Sequence, residues 1–503
     1  MKTTRRSLLA LALAAGTAFG TMSAPALADA QNLAIDLVNE PSSLDPHMQW
    51  NPDSYYVYRN IFDNLVTRDN NGEIAPQIAT EWERPADTEM VFTIRDDVTF
   101  HDGSPLTAED VVYSVKRITN PDFGSPQISQ FSVITNAEAL DDTHVKLTTS
   151  SPYPALLAQL AKLSIVPAAV VEEMGGEAFN LAPVGSGPYS FGSWTRGVEV
   201  TLNRNDDYWG DKGPFETATF RAVPDASTRI ADLQSGAADL VVSLDPDLAA
   251  QLAGSGGVEA RPVLTERVGY LKLNPQRPSM SDLKMRQAIA YAIDRDLIVE
   301  GLSGGFDKPV QQMLTPAHVG WVEGFEGTGY NPEKAKALVK ELGDAAKVEL
   351  QFATAPVFDQ RVVQALQQML TEVGLNVRIE MTDMATYLGK ARGEPSEGPE
   401  MSFGRWSCAC QDADGVLYPL LHSGSSWSAV RDPEIDAGLE AARVELDPEA
   451  RLAEYGKVHE YVATEIPLVP LYQASVFYGV NESLVWAPTS NESLFLNRME
   501  WSE

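Results

Sequence analysis

The stretch Arg267–Gly305 reads RVGYLKLNPQRPSMSDLKMRQAIAYAIDRDLIVEGLSGG, and the fold is read outward from it. Val268, Tyr270, Leu271 and Leu273 suit a strand, and Asn274-Pro275 ends that run. Ser281-Asp282 then supplies an N-cap. Leu283, Met285, Ile289, Ala292, Ile293 and Leu297 follow at helical spacing, which predicts one helix closed by Gly301 and Gly304-Gly305. The residues alone describe a strand feeding a buried helix.

The same alternation of strand and helix runs along the chain. Asn32–Val38 alternates like a strand, and Tyr55–Leu65 reads as a helix. Phe220–Val223, the helix Ala226–Ser235 and Ala238–Val242 form a β-α-β unit, which implies parallel strands with a right-handed crossover. Val348–Ala353, the amphipathic Phe358–Val373 and Leu375–Met381 repeat the pattern. Ile466–Tyr478 is an apolar strand region carrying Pro467 and Pro470, so an edge position or a bend is expected. Such alternation predicts α/β sheets with helices on both faces. At 503 residues the chain exceeds a single core, and two or three domains are expected.

A net charge of −32 argues against nucleic acid and anionic membrane surfaces, both of which need a basic face. It fits a cationic ligand, and equally a solvated acidic surface. Lys2, Arg5 and Arg6 precede the apolar run Leu8–Phe19, which predicts a signal peptide over residues 1–28, cleaved at 28 or 30. Thr4-Arg5-Arg6-Ser7-Leu8-Leu9 looks like a twin-arginine signal, and ordinary secretion stays open beside it. No cysteine lies near the cleavage site and no second long apolar run follows. The expectation is an exported, soluble, periplasmic protein without a lipid anchor. Cys408 and Cys410 are the only cysteines, either a small disulfide ring or two quiet thiols.

Motifs for catalysis are weak. Gly301-Leu302-Ser303-Gly304-Gly305 matches G-x-S-x-G, but a nucleophile elbow needs a strand before the serine and here a helix precedes it. The six histidines show no metal-ligand spacing. No enzyme activity, cofactor or metal is therefore expected, with a secreted hydrolase as the distant alternative. Phe403–Trp427, FGRWSCACQDADGVLYPLLHSGSSW, has the apolar walls and sparse polar anchors of a small-molecule cleft.

The opening stretch also resembles the signature of a family: the extracytoplasmic solute-binding proteins of ABC importers, of the peptide/opine/nickel type (family 5). Leu273, Asn274, Pro278, Asp282, Arg286, Gln287, Ala288, Ile289, Ala292, Ile293, Asp294 and Arg295 carry the resemblance. Leu44-Asp45-Pro46-His47 resembles the family's first cleft loop, and Phe92–Ile118, Pro183–Tyr189 and Asn205–Gly210 match further motifs. The resemblance covers nearly the whole mature chain.

It implies a bilobed periplasmic binding protein of type II: two α/β lobes, an extra domain, and the ligand cleft between the lobes. One lobe would combine residues 31–70, 185–265 and 476–503. The extra domain would be 71–184, and the other lobe 266–475. The implied function is capture of a peptide or peptide-like solute for a membrane permease and its ATPase, by a protein expected to be a monomer. The alternatives are an opine, an oligosaccharide or a chelated metal.

The resemblance also names ligand-binding candidates: Trp406, Asp412, Asp414, Trp427, Arg405, Cys408 and His47. Trp406 would form an aromatic wall of the cleft, although Trp406 and Trp427 would also serve as core residues. In peptide-binding relatives an aspartate three residues beyond that tryptophan pairs with the ligand's ammonium group; here the position is Ala409. The run Trp406-Ser407 followed by Asp412-Ala413-Asp414 is similar to the glutathione-binding branch. Asp412 is then either the cation partner or, with Asp414, a cap and turn former. Arg405 is the candidate for a ligand carboxylate, or a surface arginine.

Overall fold

A computed structural model describes residues 31–49, 51–69 and 72–502. The expected signal peptide lies outside them. Eleven strands form one large sheet, and ten of them follow the order 376–381, 349–354, 401–406, 258–273, 468–481, 240–244, 32–37, 217–222, 199–204 and 189–195. Two strands of this sheet are much longer than the rest: Val258–Leu273 with 16 residues and Leu468–Asn481 with 14. They run antiparallel to each other through the middle of the sheet.

Separate cores form at the two ends of these long strands. At one end Leu33, Ile35, Phe62, Tyr189, Phe220, Leu240 and Tyr478 pack together. At the other, Leu271, Met285, Ile289, Phe352, Leu366, Phe403 and Val469 do so. A third core, with Phe92, Val111, Val115, Phe131 and Leu147, fills a four-stranded antiparallel sheet and the helix Ala108–Thr119. This is a mixed α/β fold of two lobes with an additional unit.

The opening stretch folds as a strand and two helices, not one. Asp282 caps Leu283–Ala292 by accepting from the Lys284 N–H at 2.9 Å. The helix then breaks at Ile293, and Asp294 caps a second one, Arg295–Ser303, through the Leu297 N–H at 3.0 Å. A strong capping residue inside an apolar periodic run stops one helix and starts the next. The break also aims two buried arginines at the second long strand. Arg286 Nε donates to the Glu465 carbonyl at 2.7 Å, just before that strand, and Arg295 Nε donates to the Pro470 carbonyl at 2.7 Å.

That strand is central, so of the two expectations from Pro467 and Pro470, an edge position or a bend, the edge is not met. Its ladder with Val258–Leu273 shifts register between Gly269 and Tyr270, opposite Pro470. The shift accommodates the missing proline N–H, and the Arg295 guanidinium takes up the proline carbonyl. The expected β-α-β unit is present, but its two strands are not neighbours. Thr217–Ala222 and Leu240–Leu244 lie on opposite sides of Asn32–Leu37, each parallel to it.

The additional unit is bolted to the first lobe by a buried network. Arg117 donates to both Asp45 carboxylate oxygens, at 2.9 and 2.6 Å, and to His47 Nδ1 at 3.1 Å. His47 Nε2 lies 2.9 Å from the Ser164 carbonyl, which places its proton there. Burial pulls the imidazole down to about 4, so it stays neutral and accepts from Arg117. Gly185 makes the neighbouring join: a Cβ there would lie 2.0 Å from the Ile61 carbonyl, so only glycine lets the two backbones approach. Arg117→Met would strand the Asp45 carboxylate in the interior, and urea denaturation should show a loss of about 3–5 kcal/mol.

Candidate functional site

The two long strands come out of register where they pass from one lobe to the other. Leu264 faces Ser475 and Val268 faces Gln473, so four steps on the first strand oppose two on the second. Thr265, Glu266 and Arg267 therefore stand out of the ladder in a bulge. Bulges of this kind re-aim side chains, and they concentrate beside binding sites. Hydrogen bonds hold the bulge open: Thr265 Oγ1 donates to the Ala474 carbonyl at 2.8 Å, and Gln473 Nε2 to the Thr265 carbonyl at 2.7 Å.

The loop 406–414 faces the bulge and touches every part of the molecule. It leaves the strand Met401–Trp406, which pairs with Val268–Leu273, and enters the helix Asp414–Leu421. Cys408 and Cys410 form a disulfide, with Cα atoms 5.0 Å apart. The disulfide sits directly on Gly415, where a Cβ would meet both sulfurs at 2.4 and 2.5 Å. Arg68 donates to the Cys410 carbonyl, Gln411 Nε2 reaches Ser490 Oγ at 3.2 Å, and the Tyr153 hydroxyl donates to Asp414 at 2.8 Å. Segments far apart in sequence thus meet on nine residues.

Several of the sequence candidates are already engaged within the chain. Asp412 is 2% exposed and receives both terminal nitrogens of Arg451 at 2.8 Å, while its Oδ1 also accepts the Asp414 N–H at 2.9 Å. Of its two sequence readings, the geometry matches the cap and turn former. Asp414 is held by Tyr153 and, at 3.2 Å, by Arg443; burial raises its carboxyl despite that arginine. His47 belongs to the buried network described above.

Trp406 is half-buried, donates to the Gly415 carbonyl at 3.0 Å and stands edge-on to Trp427 at 5.2 Å. These two rings are brought together. Arg405 is exposed, and successive strand residues face opposite sides of a sheet, so it points away from Trp406. Its charge reaches Asp307 and Asp359 instead. Ser303 Oγ donates to the Val299 carbonyl and accepts the Asp307 N–H, which is the geometry of a helix end.

Residues that the sequence reading passed over complete the site. Among the described residues, Glu266 Oε2, Arg68 Nε, Gln159 Oε1 and His318 Nε2 are buried without a hydrogen-bond partner. Glu266 is 6% exposed, and its N–H donates to the carbonyl of Ser490, the residue whose hydroxyl holds Gln411. Lys162, whose ammonium meets Gln130 Oε1, is half-buried and within electrostatic reach of Glu266 and Arg68. Burial pulls Lys162 down to about 7. Burial, reinforced by Glu492, pushes Glu266 up to about 7 against Arg267, Arg68 and Lys162. One signal was present in the sequence: Glu266-Arg267 puts two charges inside a strand whose other central residues are mostly apolar.

A bilobed α/β architecture with unsatisfied polar groups between its lobes defines a binding protein of type II. The family model for bacterial extracellular solute-binding proteins, family 5 (middle) matches residues 73–428. The chain belongs to that family. It is similar to the glutathione-binding protein GsiB of Salmonella paratyphi A, 28% identical over 507 residues, covering 97% of this chain and 95% of the relative. Among solved structures, the ABC transporter substrate-binding protein CtaP from Listeria monocytogenes superposes with a TM-score of 0.86 at 23% identity, covering 94% and 99% of the two chains. The binding protein AgaA of A. tumefaciens R10, in complex with agropinic acid, gives 0.79 at 27% identity, covering 94% and 99%.

Two outcomes follow. Asp412→Asn removes the counter-charge of buried Arg451, so the free protein should lose stability in thermal melts. Any ligand should then weaken alike, cationic or neutral. Glu266→Gln gives a pH signature. The folded value of Glu266 lies above its ordinary 4.5, so the stability it contributes is complete below that pH and is lost as pH rises through about 7. The variant escapes that loss. Its melting temperature should match wild type near pH 4 and exceed it near pH 8.

Proposed function

We propose that the protein captures a peptide or peptide-like solute between its lobes and delivers it to an ABC permease powered by a cytoplasmic ATPase. The periplasm is the compartment, and the protein acts without catalysing a reaction. In this reading residues 31–70, 185–265 and 476–503 form one lobe, 266–475 the other, and 71–184 the extra domain. One observation carries the reading: among the described residues, four buried polar atoms without partners (Glu266 Oε2, Arg68 Nε, Gln159 Oε1 and His318 Nε2) come from segments tied to the bulge and the 406–414 loop. Buried polar groups in folded proteins are nearly always hydrogen-bonded, so orphans at one junction are groups kept for a ligand. Likeness to a glutathione-binding protein across nearly the whole chain supports a peptide-like solute. Likeness to a protein solved with agropinic acid supports an opine as the second reading.

The ion pair Arg361–Asp247, 3.6 Å long and exposed, spans the proposed lobes and contributes little. A ligand that binds only the folded protein stabilises it by mass action, about 2.7 kcal/mol at a hundredfold excess over Kd. A thermal-shift panel of di- to tetrapeptides, glutathione and opines should therefore give hits of a few degrees. Single sugars and nucleotides should be silent. Trp406→Ala should abolish the shift of any hit, because the ring supplies a wall of apolar area. A panel silent for every peptide and opine, or hits indifferent to Trp406→Ala, would overturn the reading.

A further inference from the structure

Among the described residues, three ionisable groups around the bulge make no ion pair. Glu266 is buried, and its Oε2 accepts nothing. Arg68 spends its two terminal nitrogens on the Gly72 and Cys410 carbonyls, and its Nε donates to nothing. The Lys162 ammonium meets only the neutral Gln130. The neighbouring charges are taken: Arg267 holds Glu492 at 2.5 Å and Arg451 holds Asp412 at 2.8 Å.

The backbone brings the three together from different parts of the chain. Asn64 Nδ2 donates to the Ala161 carbonyl and the Leu65 N–H to the Leu163 carbonyl, so Lys162 lies alongside the segment that ends at Arg68. Arg68 grips Cys410; Gln411, the next residue, grips Ser490; and Ser490 receives the Glu266 N–H. Each of the three charges is within electrostatic reach of the other two. Yet none of the salt bridges found among the described residues joins them.

We infer that Glu266, Lys162 and Arg68 form a cradle for a zwitterionic head group, with the solute's ammonium on Glu266 and its carboxylate on Lys162 and Arg68. The inference rests on the solute-capture reading above and narrows it. A carboxylate kept dry without a donor is costly, and a ligand ammonium supplies that donor. Two cations served only by neutral oxygens accept a carboxylate in the same way, through charge-assisted bonds. The solute therefore carries a free amine and a free carboxylate close together, as the end of a γ-linked peptide does. A neutral oligosaccharide or an amine-blocked peptide offers Glu266 only a neutral donor, without the charge that makes the bond strong. Asp412, paired with Arg451, is left outside this selection.

Titration calorimetry on the full mature protein tests the cradle with three probes: glutathione, N-acetylglutathione and the dipeptide Ala-Ala. Glutathione should bind, Ala-Ala, whose amine and carboxylate stand on different residues, should bind more weakly, and acetylation should weaken glutathione by about ten- to a hundredfold, the range of one charge-assisted bond. Glu266→Gln should weaken glutathione by a similar factor and leave N-acetylglutathione unchanged, because the same contact is then removed twice. Lys162→Gln should weaken both forms. Acetylation needs no variant, so the test survives a Glu266→Gln protein that fails to fold. Equal binding of acetylated and free glutathione to the wild type would overturn the cradle while leaving solute capture standing. Silence of all three probes, together with a silent wider panel, would overturn the capture reading itself.

Discussion

The structure depends on two long strands that belong to both lobes at once. Val258–Leu273 and Leu468–Asn481 are single hydrogen-bonded units, so neither lobe has a complete sheet without them. At about 3.3 Å per residue, the longer strand runs roughly 50 Å. A regular ladder of that length would join the lobes rigidly and leave no space between them. The register slip at residues 265–267 is what relieves this. It leaves the pairing intact on both sides and gives up its regularity at one place, where three consecutive side chains are freed from the sheet. The clamp on the second strand belongs to the same design: Arg286, in the first of the two helices, and Arg295, at the start of the second, hold the carbonyls of Glu465 and Pro470.

This explains why the fold was legible and the site only partly so. The motif from Leu273 to Arg295 encodes a local arrangement of cap, helix and buried arginine, and local arrangements are visible in sequence. Pro470 left two readings open, an edge or a bend, because a residue without the ladder donor is tolerated at edges and bulges alike. The rule does not know that an arginine from 175 residues away meets the proline carbonyl. Asp412 stayed open between a cation partner and a cap or turn former because its own partner, Arg451, lies 39 residues on, across a loop and two helices. Trp406 and Trp427 were each legible as candidates from the apolar loop and helix between them, but their contact was not. Glu266 and Lys162 were passed over, since nothing near either in sequence tells that the fold will bury both.

Burial separates the structural charges from those left open. Asp45–Arg117 and Asp412–Arg451 are both bidentate, with every side chain at or below 6% exposure. Such pairs recover most of their desolvation cost through geometry, and removing one partner leaves the other stranded. They lock the first cleft loop and the 406–414 loop in place. Glu266 is buried to a similar degree and recovers nothing comparable. Its neighbours are near enough to be felt and too badly placed to touch, and its carboxyl is accordingly pushed up to about 7. Arg267, the next residue along the chain, could have paired with it. Arg267 turns to Glu492 instead.

The contacts across the bulge also bear on how firmly the lobes hold each other. Gln411–Ser490 is a neutral hydrogen bond at 3.2 Å, Arg68–Cys410 a bond to a backbone carbonyl, and Arg361–Asp247 an exposed pair at 3.6 Å. The neutral and the exposed link are each worth about 1 kcal/mol or less, and the bond from the charged Arg68 somewhat more. Against them stand Glu266 and Lys162, which lose stability when both are charged and dry. In the proposed reading, a solute that brings an ammonium to Glu266 and a carboxylate to Lys162 would offset that cost. Only such a difference in interaction between two arrangements of a protein lets a ligand shift one into the other.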